Sequence, residues 1–133
     1  MEDIRDIESS AGVLDIAVAS TATVYTKAIS LNLGEYFALI YKATSDGNVK
    51  LQIQIEQSPV LPTTEGAADD NFVIPEGFSD IESALATETQ HIKALTPIAL
   101  KYFRLKITGL GAPSANDAST TIRLRLGKRD LGI

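Results

Sequence analysis

Apolar and polar residues alternate along two neighbouring stretches of the chain. In residues 49–56, four apolar side chains share one face and four polar side chains share the other, which predicts a half-buried strand. Residues 35–43 are apolar on both faces and rich in aromatic and branched side chains, which predicts a central strand covered on each side. Residues 45–48, Ser-Asp-Gly-Asn, suit a tight turn. We therefore expect the two strands to form a hairpin.

The same alternation recurs near the C-terminus. Residues 100–108 place Phe103, Leu105 and Ile107 on one side, and residues 120–126 repeat the pattern, which predicts a second hairpin. If these strands pair directly, four cations share one outer face: Arg104, Lys106, Arg123 and Arg125. Because like charges opposed across strands are unfavourable, carboxylate partners from the same chain or from a neighbour would relieve the repulsion on such a face.

The remaining elements are shorter. Strands are predicted within residues 12–19, 21–31 and 91–95, with a short edge segment at 71–74. Residues 79–86 have a capping-box spacing from Ser79 to Glu82 and predict a short helix, although an extended conformation fits the same residues. The pattern as a whole predicts an all-β, antiparallel, jelly-roll-like β-sandwich of about seven or eight strands with at most one short helix.

The 133 residues suffice for one hydrophobic core, so one domain is expected. The first ten residues are highly charged, and we expect an N-terminal arm over residues 1–12 followed by a single sandwich domain over residues 13–133. Residues 58–80 and 109–119 form connections longer than is usual between strands. Long loops in a compact sandwich are either disordered or used for contact.

Composition disfavours an enzyme. The chain has no cysteine, which excludes disulfides, thiolate catalysis and cysteine-ligated metal centres. The single histidine, His91, follows Glu88 and Gln90 but belongs to no recognisable nucleophile motif. A structural histidine is the favoured interpretation, and a small hydrolase using His91 as its base is the alternative. No glycine-rich phosphate-binding motif occurs, and we expect no cofactor.

Four residues with oxygen-bearing side chains lie close together in the long loop: Glu65, Asp69, Asp70 and Asn71. Carboxylate and amide oxygens are ligands for hard cations such as calcium, but the spacing matches no EF-hand loop. Solvated loop charges are the favoured interpretation, and a bound ion is the alternative.

Charge is divided along the chain. Residues 1–90 hold four Lys/Arg against 15 Asp/Glu, a net charge of −11, whereas residues 91–133 hold eight against two, a net charge of +6. Nucleic acid is disfavoured as a partner because the acidic part would repel it. Two interpretations remain: an ordinary mixed surface, or oppositely charged faces that meet between neighbouring subunits. No apolar run is long enough to span a membrane, and the charged first residues predict cytoplasmic synthesis without export.

The C-terminal pattern of residues 102–109, a small polar loop containing Asn116-Asp117-Ala118, and residues 121–124 resembles the closing hairpin of small β-sandwich virion proteins of tailed bacteriophages. The acidic N-terminus, the turn region at residues 42–47 and the strand at 51–56 are similar as well. The likeness covers roughly residues 33–126 and rests on pattern and composition.

The resemblance implies a non-enzymatic capsid decoration, or cement, protein on the outer surface of the phage head. The expected partners are the major capsid protein and other copies of this chain, with a trimer expected by analogy, and neither nucleic acid nor membrane. A carbohydrate-binding or host-surface-binding module, and a neck, tail or head-fibre component, are the alternatives. Residues 1–12 and 58–80 are expected to make the subunit and capsid contacts, with the four C-terminal cations as a complementary basic face. The individual candidates are Asp3, Arg5, Asp6, Glu65, Asp69, Asp70, Arg104, Lys106, Arg123 and Arg125.

Overall fold

The computed structural model describes residues 2–30, 36–45, 50–75, 80–82, 91–95, 100–110 and 119–129. All regular elements in these ranges are β-strands, ten in number, and two of them have only two residues. The strands are β1 (Glu2–Ile7), β2 (Asp15–Ala19), β3 (Thr23–Tyr25), β4 (Ile29–Ser30), β5 (Tyr36–Ser45), β6 (Lys50–Ser58), β7 (Ile81–Glu82), β8 (His91–Leu95), β9 (Tyr102–Leu110) and β10 (Ser119–Arg129). No helix capable of crossing a membrane occurs in the described ranges.

The strands form two antiparallel sheets. Sheet I has the order β1-β10-β5-β8, and β2 continues along the edge of β10 that β1 occupies. Sheet II has the order β3-β9-β6-β7, and β4 continues along the edge of β9 that β3 occupies. Counting β1/β2 and β3/β4 as one strand each gives two sheets of four strands, with the first and last strands adjacent in sheet I. This is the strand order of a jelly roll, so the predicted antiparallel sandwich is confirmed.

The hydrophobic core lies between the two sheets. Phe103, Leu105 and Ile107 of β9 are fully buried, as the alternating pattern predicted. They face sheet I, whose core residues come from four strands. These are Ile7, Ile16, Val18, Leu39, Ala43, Ile122, Leu124 and Leu126.

The two predicted hairpins are wrong, although their strands are present. β5 and β6 belong to different sheets, and so do β9 and β10. β5 instead pairs with β10 along its full length, and β6 pairs with β9. A strand with one apolar face buries it equally well whether the chain turns back in one sheet or crosses to the other. Local alternation therefore does not distinguish a hairpin from a crossing between sheets.

The N-terminal residues are part of the sandwich. β1 runs antiparallel to the second half of β10, and Ile7 is fully buried in the core. The expectation that the first ten residues stay outside the core is therefore wrong. Charged residues obscured this strand in the sequence, but they are common on the edge strands of sheets.

The segment predicted as a helix contains β7. Ile81 is paired with Ile53 in an extended conformation, so at Ile81–Glu82 the extended alternative is confirmed and the helix is wrong. The other residues of 79–86, apart from Asp80, lie outside the described residues. The strand predicted at 91–95 is confirmed as β8, and the edge segment at 71–74 is a single bridge between Val73 and Gln57.

Candidate interaction surfaces

Residues 59–75 form a loop over the outer side of sheet II, and we call it the covering loop. Arg104 of β9 fastens it. The Arg104 side chain is fully buried, with Nε donating to Glu56 Oε1 at 2.8 Å and Nη1 donating to the carbonyl oxygen of Ala67 at 2.8 Å. Its guanidinium carbon lies 4.2 Å from the ring centroid of Tyr25 and 4.3 Å from that of Phe72. One cation therefore joins the sheet to the loop through an ion pair, a hydrogen bond and two aromatic rings.

Arg104 is thus not available on a surface, and the prediction of an exposed basic face containing it is wrong. Its position follows from the pairing of β9 with β6, which places Arg104 directly across from Glu56. Its Nη2 is the one buried side-chain nitrogen or oxygen without a hydrogen-bond partner among the described residues. The contacts with the two rings lie on the faces of the guanidinium group and leave that donor unpaired.

Asp69 organises the covering loop from within. Its carboxylate accepts hydrogen bonds from the backbone N–H of Thr63, at 3.0 Å, and of Asn71, at 2.9 Å. These two bonds, the one from Thr63 foremost, lower the pKa of Asp69 because they stabilise the charged form. Both carboxylate oxygens are therefore used inside the loop.

The other acidic residues of the loop lie apart from that turn. Glu65 Oε1 accepts a 3.4 Å hydrogen bond from the backbone N–H of Ala28, and Asp70 is exposed. No cluster of three acidic or histidine side chains suited to a metal ion occurs in the part of the chain that the structure describes.

The covering loop exposes an apolar surface beside these charges. Its position is fixed by two 2.9 Å backbone hydrogen bonds between Gln57 and Val73, and by Gly66, which has a φ of +81° and whose lack of a Cβ lets the chain approach Ser10. Four large apolar side chains of the loop are between 40% and 61% exposed: Val60, Leu61, Val73 and Ile74.

A second apolar surface lies on the outer side of sheet I. Residues that alternate with the core positions point outward here, and the strand register sets Ile40 of β5 between Arg125 and Ile92. Ile92 is 68% exposed, and Ile4, one row away on β1, is 56% exposed. Between Ile4 and β8, the register places only Gly127 and Ala38. The centre of this face therefore carries residues with small side chains, and isoleucines lie on both sides of it.

Charged residues of both signs border the isoleucines. Arg123 donates to both carboxylate oxygens of Asp15, at 2.9 and 3.0 Å, and Arg125 lies across from Asp6. Lys42 is exposed beside Arg123 on β5. Carboxylates on β1 and β2 thus lie across from both arginines, which offsets the like-charge pair of Arg123 and Lys42 across β10 and β5.

These charges line a groove of about 460 Å³ on the outer side of sheet I. Its lining residues are Asp6, Ile40, Tyr41, Lys42, Arg123 and Arg125. Partial burial raises the pKa of Tyr41. Three cations against one carboxylate give the lining a positive balance, in a chain whose net charge is −5.

The other predicted contact residues are dispersed. Lys106 is half-buried on sheet II, where it lies across from Tyr25 and Gln54. Arg5 is exposed on β1, and the side chain of Asp3 lies outside the described residues. The predicted set of four cations is therefore divided between the two sheets, with Arg104 and Lys106 on β9 of sheet II and Arg123 and Arg125 on β10 of sheet I.

Comparison with known proteins assigns no family. The sequence matches no protein family and no curated protein. The two surfaces therefore rest on the geometry of this chain.

Sequence reasoning missed the apolar part of both surfaces. Ile4 and Leu61 lie in the segments 1–12 and 58–80 that are expected to make contacts, but the residues singled out there are all charged, because isolated apolar residues are ordinarily assigned to a core. Ile92 lies outside both segments. One signal did point to them. Residues 35–43 are apolar on both faces, which predicts a layer on each side of β5, yet Ile40 is only half-buried and Lys42 is exposed. No element in the described ranges packs over this side of sheet I.

Proposed function

We propose that the chain is a non-enzymatic structural protein of a tailed-phage virion, a decoration protein on the outer surface of the head. In this role it binds the major capsid protein and other copies of itself. The resemblance of residues 33–126 to small virion sandwiches supports the proposal. The jelly-roll order is compatible with it, since viral capsid proteins are among the proteins that use this architecture, although a fold alone does not fix a function.

One observation carries the proposal: exposed apolar side chains are grouped. Seven large hydrophobic residues are exposed in the described ranges, and all but Val13 lie on the covering loop or on the outer side of sheet I. Grouped apolar exposure on a soluble protein marks interaction sites, whereas scattered exposure is ordinary. Charged residues border both groups, which is the arrangement of an apolar interface centre with a polar rim.

The experiment is to test phage heads for the protein. Particles are purified from the phage whose genome encodes the chain, and their proteins are identified by mass spectrometry. We expect the chain on the head surface, removable by mild denaturant and able to rebind stripped heads. The Ile92→Asp and Leu61→Asp variants should rebind poorly, and Val13→Asp, a change of similar type at an exposed residue that belongs to neither group, should rebind normally. Absence of the chain from purified heads would refute the proposal.

The carbohydrate-binding alternative predicts exposed aromatic platforms. Of the aromatic side chains that the structure describes, none is fully exposed. Phe72 and Phe103 are buried, and Tyr25, Tyr41 and Tyr102 are partly buried. A glycan array tests this alternative directly, because saturable binding would favour it over the virion role.

A further inference from the structure

We infer that the covering loop of one copy packs against the outer side of sheet I of a second copy. The contact joins two different surfaces, so each copy contributes its loop to one neighbour and its sheet to another. The inference deepens the proposed function, on which it rests for the expectation that the chain is a homo-oligomer. It names which surfaces meet and in what order.

Each of the two surfaces exposes apolar side chains that the other can cover. Sheet I offers a centre of small residues at Ala38 and Gly127, with Ile4 on one side and Ile92 on the other. A Cβ added at Gly127 would lie 3.5 Å from Ile40 Cδ1, so the Ile40 side chain borders this centre and adds to its apolar surface. The covering loop supplies a projecting side chain, since Leu61 is 61% exposed. Packing the loop on this centre would complete the second layer that the two-sided apolar pattern of β5 predicts.

Charge complementarity favours the covering loop of a second copy as the segment that packs on sheet I. Residues 59–75 contain three carboxylates and no cation, a net charge of −3. The outer side of sheet I carries Lys42, Arg123 and Arg125 against Asp6 and Asp15, a net charge of +1. Two loops facing each other would oppose −3 with −3, whereas a loop on sheet I brings opposite charges together.

The loop is held in place before any contact forms. Arg104 ties it to β9, Asp69 fixes its turn, and the backbone pair of Gln57 and Val73 joins it to β6. A segment already fixed in one conformation loses little entropy on binding. The surface is therefore suited to association between folded copies.

The two surfaces belong to different sheets, so the contact is heterologous. Such contacts close into a ring when the rotation between copies permits, and otherwise extend as a chain. A closed ring places copies around a rotation axis, which is the geometry needed at a symmetry axis of a capsid.

The first measurement is the molar mass of the purified protein by light scattering up to about 100 µM, a range that detects weak association. We expect masses above the 14.2 kDa of one chain, decreasing at high salt because screening weakens the charged part of the contact. Ile92→Asp and Leu61→Asp should each weaken association at least about tenfold, as expected for residues near an interface centre. Val13→Asp should have no effect. Circular dichroism and the melting temperature establish that each variant folds, and Lys42→Glu replaces Ile92→Asp if that variant does not.

Mixing the two disrupted variants gives the decisive result. Ile92→Asp retains an intact loop and Leu61→Asp retains an intact sheet, so together they form one contact and stop at a 1:1 dimer of twice the 14.2 kDa chain mass. A contact between two sheet I faces predicts instead that Leu61→Asp associates normally and that mixing restores nothing. That outcome, or a monomeric wild-type protein at every concentration, would overturn the inference. Because the test uses no capsid, its failure leaves the head-binding experiment to judge the proposed function separately.

Discussion

Replacing Arg104 with methionine tests the role of the buried ion pair in fastening the covering loop. Methionine retains much of the side-chain volume but removes the charge, the bond to Glu56 and the bond to the Ala67 carbonyl oxygen. The Glu56 side chain, only 10% exposed, is then left without its cation. Removing one partner of a buried ion pair costs about 3–5 kcal/mol of the free energy of unfolding. With an unfolding entropy of about 2.1 cal/mol/K per residue over 133 residues, the melting temperature should fall by about 11–18 °C.

Arg123 provides a matched control. It makes an arginine–carboxylate pair of similar geometry with Asp15, but the two side chains are 49% and 58% exposed. Exposed pairs contribute about 0.2–1 kcal/mol, so Arg123→Met should lower the melting temperature by about 1–4 °C. The difference between the two variants isolates the effect of burial.

The assay is urea unfolding followed by far-UV circular dichroism, with thermal unfolding in parallel. Combining Arg104→Met with Glu56→Leu should recover much of the lost stability, because no buried charge then remains unpaired. Cleavage by chymotrypsin within residues 59–75 should accelerate in Arg104→Met and stay unchanged in Arg123→Met. If Arg104→Met costs no more than Arg123→Met, the assignment of Arg104 as the fastener of the loop is refuted.

Three further predictions concern single positions. Gly109→Ala should destabilise by about 1–3 kcal/mol in urea unfolding, because its Cβ would lie 2.1 Å from the Ala19 carbonyl oxygen. Gly127→Ala is the control, because its Cβ would make ordinary van der Waals contacts at 3.5 and 3.7 Å. Because the pKa of Asp69 is lowered in the folded state, its carboxylate stabilises the fold above the unfolded-state pKa of about 4, and this contribution is lost as the pH falls further. Asp69→Ala should therefore reduce the dependence of the free energy of unfolding on pH between about pH 5 and 2. An unchanged dependence contradicts this. Ultraviolet titration should show the Tyr41 phenol ionising above its usual pH because burial raises its pKa, and Tyr41→Phe should remove that step of the titration.

The sequence by itself determined the class of fold and most of the strands. β6, β9 and β10 alternate so regularly that their core-facing residues, such as Ile53, Leu105 and Leu124, could be read directly. That alternation follows from the two-residue period of a strand, which is a local property. The C-terminal cations were likewise recognised as outward-facing and in need of carboxylates, and Asp15 meets that need for Arg123.

Only the tertiary structure decided which strands pair. The pairing in turn decided whether the four C-terminal cations share one face. Separating β9 from β10 placed Arg104 and Arg123 on different sheets, where one is buried against Glu56 and the other is exposed beside Asp15. The partners lie 48 and 108 residues away along the chain, beyond the reach of any local pattern. Alternation specifies which side chains of a strand point away from the core. Whether such a side chain then meets water, a loop or another molecule depends on what the rest of the chain places over the sheet.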